Sequence, residues 1–219
     1  MLKLSSIFKE WEKAIKRRGV TDRFVPDGII DENQYQNIVW VLRETNDYEK
    51  GNLAELINDC IENPQAHKKY WKTPSTHYKM ALAVAGLLYP EKKIDDLKTL
   101  KRSALKHAAI VNMKKTKGGR NSNIDEIIKF LDEDKAFVKQ EIEALKPKVV
   151  IVGGMKTVNR IRATMIKLFD LKQKEKDVYY SKSLNAIILA TYHPAYTAIK
   201  YEVWIDFFQK VSKKYLQEL

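Results

Sequence analysis

Ala186-Ile187-Ile188-Leu189-Ala190-Thr191-Tyr192-His193-Pro194-Ala195-Tyr196-Thr197 is the stretch on which the fold turns. The apolar run from Ala186 to Leu189 reads as a buried strand, and a histidine and a proline leave it before a helix-like segment. Pro194 fixes one backbone angle and biases His193 away from helix. The imidazole is therefore expected in a defined pose at the carboxyl edge of a sheet, where open α/β folds keep their sites. The alternative is a turn carrying a solvated histidine.

Three more apolar runs precede this one. Ile38-Val39-Trp40-Val41-Leu42 is short and continuous, the pattern of a strand covered on both faces. Residues 107–112 and 148–152 read as the second and third strands, with the stretch 183–190 as the fourth. Between them lie helical patterns at 52–61, 75–88, 97–106, 123–145 (with a break near Asp134) and 156–169, and a last one at 198–217. Ser75, and Ser122 or Asn123, are placed to cap two of these helices. A first helix covers 5–18 and stops at Gly19, and 21–37 reads as loop around Pro26-Asp27-Gly28. Strands alternating with helices predict an α/β three-layer sandwich: a central four-stranded, mostly parallel sheet with helices on both faces. Parallel strands then bring three polar clusters to one edge: residues 43–47, 112–120 and 192–196.

The 219 residues suffice for one domain, 44% hydrophobic and 31% charged. No apolar run approaches a membrane span, the start lacks a secretory apolar core, and one cysteine, Cys60, supports no disulfide framework. These features predict a cytoplasmic protein with no membrane partner. The net charge of +12 favours polyanions, nucleic acid first.

Each polar cluster has a chemical and a structural reading. Glu44, Asn46 and Asp47 follow a buried strand, where carboxylates can position water or stabilise a developing cation, or else cap a helix or line a turn. Asn112 ends an apolar run. Its carboxamide has the donors and the acceptor to read a base edge, or it terminates the strand. Lys114, Lys115, Lys117 and Arg120, with two glycines between them, can meet phosphates or form a surface loop. Gly153-Gly154 can present amides to an anion or make a strand-to-helix turn. His67, His77 and His107 have no metal-ligand spacing and read as structural or solvated, and no metal or other cofactor is expected. Tyr48 and Trp71 are large enough to stack on a base.

Taken in order, these pieces resemble the uracil-DNA glycosylase superfamily over about residues 38–209, closest to its family-4-like branch. Where that branch ends its first strand in Gly-Glu-Ala-Pro-Gly, this chain has Arg43-Glu44-Thr45-Asn46-Asp47, which keeps only the glutamate. The middle motif is Val111-Asn112-Met113-Lys114-Lys115-Thr116, with Thr116 in place of a cluster cysteine. Lys146-Pro147 then leads into a strand ending at Gly153, and His193-Pro194-Ala195 stands for His-Pro-Ser. The missing cysteines imply no iron–sulfur cluster.

The resemblance implies a DNA-repair hydrolase that flips a uracil or related damaged base and cleaves its N-glycosidic bond. Asn112 would read the base with Tyr48 beside it, and His193 would donate to the base O2 as negative charge develops. Glu44 would hold water or stabilise the sugar cation, with Asp47 the alternate. Lys114, Lys115, Lys117 and Arg120 would grip DNA, and Tyr196 would wedge the duplex. Residues 1–37 lie outside the resemblance as an N-terminal helical extension. The alternative is a DNA- or modified-nucleotide-binding module on the same fold, with little or no catalysis.

Overall fold

A computed structural model describes residues 2–46, 48, 50–71, 75–118 and 123–216. It is α/β, built on a mixed sheet of seven strands rather than the four expected. The four apolar runs form its parallel centre: β2 (Ile38–Leu42), β4 (Ala108–Asn112), β6 (Val149–Gly153) and β9 (Ala186–Thr191). The other three strands are antiparallel additions at the edges. β1 (Gly28–Ile29) pairs with β4, and β8 (Val178–Ser181) joins β9 to the outermost strand, β7 (Leu171–Glu175). The sheet order is β1-β4-β2-β6-β9-β8-β7. A second sheet of two short strands, β3 (Thr45–Asn46) and β5 (Lys117–Gly118), pairs in parallel beyond the ends of β2 and β4.

Alternation along each central strand divides the core. Ile38, Trp40 and Leu42 of β2, with Ile110, Ile151 and Leu189, face one side. There they meet α2 (Leu53–Glu62), α3 (Thr76–Leu88), α4 (Ile94–Leu105) and α7 (Tyr201–Val211). Trp40 stacks on Trp204 of α7 with ring centroids 6.2 Å apart. Val39 and Val41, with Val111, Val150 and Ile188, face α1 (Leu2–Arg17), α5 (Ile124–Leu145) and α6 (Asn159–Phe169). Every residue of the four central strands is buried, as a sheet covered on both faces requires. Helix α1 is part of this packing, since Trp11 and Ile15 are fully enclosed.

Two helix starts follow their local chemistry. Ser75 Oγ accepts the Tyr78 N–H to cap α3, and Asn123 Oδ1 accepts those of Asp125 and Glu126 to cap α5. Helix α5 runs unbroken through Asp134, where a break was expected. The buried carboxylate there is held by two hydrogen bonds from Arg18, at 2.7 and 2.9 Å. The chain leaves β2 toward β4 on one side and later enters β6 on the other, so its connections diverge at β2. In an open α/β sheet, that divergence opens a crevice at the carboxyl edge. Among the described residues, no helix is long and apolar enough to cross a membrane.

Candidate functional site

A cavity of about 260 Å³ lies at this edge, walled by the ends of β2, β4 and β9, by α2 and by the start of α3. Glu44, Tyr48, Asn112 and His193 all line it. They come from three separate stretches of chain that the parallel strands deliver to one place. Among the described residues, no cluster of three or more His, Cys, Asp or Glu is arranged to hold a metal ion.

Asn112 is the last residue of β4 and is fully buried. Its backbone N–H and its side-chain Nδ2 both donate to Asp27 Oδ2, at 2.7 and 2.9 Å. The carboxamide is therefore held in one orientation, and its Oδ1 has no partner. Asp27 in turn meets the Lys115 ammonium, which also lies 2.8 Å from Glu141. Lys115 is wholly enclosed, with its Nζ 5.0 Å from the centre of the Trp11 ring. Burial, and then the neighbouring charge of Asp27, raise the Glu141 carboxyl well above its ordinary pKa. Asp27 and Lys115 face each other as a fully buried ion pair.

Glu44 is tethered as well. Its Oε2 accepts from Lys114 Nζ at 3.2 Å, while Oε1 has no partner. Lys114 also pairs with Glu126 at 2.8 Å and donates to the Lys117 carbonyl. Burial opposes the Lys114 charge, but Glu126 and Glu44 outweigh it, so its pKa is raised. The Glu44 side chain lies directly over the backbone of Gly118, where any Cβ would overlap its carboxyl group. Gly118 thus allows a close approach that no other residue type would.

Expected phosphate contacts therefore change. Lys114 and Lys115 are internal, committed to carboxylates distant in sequence, and neither is open to DNA. Lysine is seldom buried unless paired, and these partners, Asp27, Glu44, Glu126 and Glu141, come from other elements. Lys117 is half-buried in β5. Asp47 and Arg120 lie outside the described residues. Lys69 is a cation on the cavity wall.

His193 follows β9 by two residues. Its Nδ1 accepts the Ala195 N–H at 3.2 Å, which leaves the proton of the neutral ring on Nε2. Burial, with the nearby Arg43 charge second, lowers its pKa to about 4, so the imidazole is a neutral donor near pH 7. Gly153 lies beneath the turn. A Cβ there would stand 3.2 Å from the Pro194 ring. Gly154 has a left-handed φ of 91° and packs against the Arg43 guanidinium. Its amide donates to the Thr191 carbonyl at 2.9 Å, so the glycine pair forms a turn and offers no anion cradle there.

Tyr48 hydroxyl donates to the Lys50 carbonyl at 3.1 Å, which anchors its ring at the cavity wall. Tyr196 is 45% exposed and stacks on Tyr192, with centroids 5.1 Å apart and planes 11° from parallel. Its carbonyl accepts from Lys79. Sequence reasoning missed Asp27, which it placed in a turn, along with Glu141 and the cavity position of His77. Only a buried-lysine pattern tying remote carboxylates together could have flagged the first two. Comparison with known proteins adds no family, since no protein-family model and no curated protein matches this chain.

Proposed function

We propose that the protein is a hydrolytic DNA glycosylase, of the uracil-DNA glycosylase type, acting on uracil or a related base turned out of the helix. One observation carries the reading: Glu44, Asn112 and His193, from three different strand ends, line a single cavity with Tyr48. Their chemistry suits the reaction. The Asn112 Oδ1 is an acceptor for a base N–H, and the second hydrogen of Nδ2 can serve a base carbonyl. Neutral His193 offers an N–H to the base oxygen that gains negative charge as the bond breaks. Such a preorganised donor contributes about 3 kcal/mol to barrier lowering.

The electron pair of the C1′–N bond leaves with the base, and the oxygen of water bonds to C1′. The Glu44 Oε1 is free to orient that water and face the sugar as it becomes cationic. One water proton ends on the departed base, and the other remains on the new sugar hydroxyl. Extrusion itself costs a few kcal/mol, recovered from contacts to the backbone and within the cavity. The net charge of +12 supports a DNA partner.

A second reading, a base-binding module with little catalysis, draws on the Lys114–Glu44 pair. An ammonium 3.2 Å from the carboxylate weakens it as a base and offsets its attraction for a sugar cation. A uracil-containing oligonucleotide, incubated with the protein and then treated with alkali, separates the two. Strand breakage marks an abasic site and supports the glycosylase. Retained binding without breakage supports the module.

A further inference from the structure

The protein has four histidines, and three of them are tied down. His67 Nε2 meets Asp59 at 2.7 Å, His107 Nδ1 meets the Gln34 carbonyl at 2.5 Å, and His193 Nδ1 takes the Ala195 N–H. His77 differs. Its ring packs edge-on against Tyr70, with centroids 5.0 Å apart at 78°, and has no hydrogen-bond partner among the described residues. It is the second residue of α3, fixed there by the Ser75 cap, and it lines the same cavity as Asn112, Glu44 and His193. The ring is half-buried, with its polar edge open to the cavity rather than to a protein partner. A ligand in the cavity can therefore take up hydrogen bonds that no described residue makes to this ring.

We propose that His77 is a base-contacting residue which, with Asn112, decides which extruded base the cavity accepts. The inference rests on the glycosylase reading and extends it to a residue on the helical wall. The polar atoms left open support it. Glu44 Oε1 and Asn112 Oδ1 are acceptors without donors, and His193 supplies a donor from the β9 side. His77 adds one donor and one acceptor from α3. Burial lowers its pKa to about 4, so both functions are present without charge near neutral pH. Donors and acceptors from separate walls match a ring carrying adjacent carbonyl and N–H groups: an oxo-pyrimidine or oxo-purine. A base with a polar group toward α3 gains a bond that a base lacking it cannot make.

The test compares wild type with His77→Phe, which keeps a ring against Tyr70, and His77→Gln, which restores a donor and an acceptor. Single-turnover cleavage is measured on oligonucleotides containing uracil, 5-hydroxymethyluracil, hypoxanthine or xanthine. The expected result is a change of about 10-fold in the ratio of rates between bases for His77→Phe, partly reversed by His77→Gln. A common slowing on every base would show a structural role and overturn the proposal. Imidazole ¹⁵N shifts of the wild-type protein, followed during titration with free uracil and hypoxanthine, separate this proposal from the reading beneath it. Shifts at His77 support the contact even if no base is cleaved. Shifts at His193 alone overturn the proposal and leave the site intact. No shift at either histidine, with no cleavage, overturns both.

Discussion

Asp27 and Asn112 stand 85 residues apart in the chain and share one carboxylate oxygen: Asp27 Oδ2 accepts both the backbone N–H and the side-chain Nδ2 of Asn112. This pairing fixes which end of the carboxamide is left for a ligand. It also joins the cavity to the buried Lys115 and Glu141 and to a segment preceding the first central strand. A residue outside the expected site thereby orients the one proposed to read the base.

The buried pair makes a stability prediction. Removing the ammonium in Lys115→Met leaves Asp27 charged without compensation, so the variant should lose about 3–5 kcal/mol in chemical denaturation. The double variant Asp27→Asn with Lys115→Met, which removes both charges and keeps a side-chain oxygen for Asn112, should recover much of that loss. Additive losses would show that the two groups act independently.

Asn112→Leu should remove base recognition without adding charge. Single-turnover cleavage of uracil should fall by at least about 100-fold, with duplex binding through the backbone kept. Asn112→Asp is a less clean test, because its carboxylate would stand beside Asp27. Unchanged uracil cleavage by a folded Asn112→Leu would remove this residue from recognition.

Gly118 provides a test of Glu44 from outside the cavity wall. A methyl group at Gly118 cannot coexist with the present Glu44 position. Gly118→Ala should therefore slow cleavage about as much as Glu44→Gln, and combining the two should add little further loss. Full activity in Gly118→Ala would place Glu44 outside the chemistry.

The two cavity histidines carry a pH signature. Their folded pKa values near 4 lie below the ordinary 6.5, so between those values the unfolded chain binds protons that the folded chain does not. Their contribution to stability is present above pH 6.5 and is lost as pH falls toward 4. Glu141, raised well above 4.5, acts in the opposite direction: its neutral form favours folding at low pH, and that support fades as pH rises. Comparison with a His77→Gln, His193→Gln variant isolates the histidines. Wild type should lose more melting temperature than the variant between pH 7 and pH 5. Equal losses would mean that neither imidazole is held neutral by burial.

The central sheet was legible because β2, β4, β6 and β9 are continuous apolar runs. Its edges were not. β1 has two residues, and β7 exposes Lys172, Gln173 and Lys174, the polar composition that protects an edge strand from further pairing. The same logic governs the cavity. Glu44, Asn112 and His193 are polar groups just after or at the end of apolar strands, and parallel pairing carries such positions to one edge. Lys114 and Lys115 were misread because adjacent lysines normally mark a solvated loop, whereas here the fold supplies carboxylates from distant elements. His77 was invisible for a related reason: nothing local shows that α3 begins at a cavity wall.

The single-turnover rate of abasic-site formation in a uracil-containing duplex, for wild type and for His193→Ala, tests the central claim most directly. The account predicts measurable cleavage by wild type and a rate about 100-fold lower for the variant, with duplex affinity retained. Equal rates in a folded variant, or no abasic sites from wild type at any enzyme concentration, would contradict it.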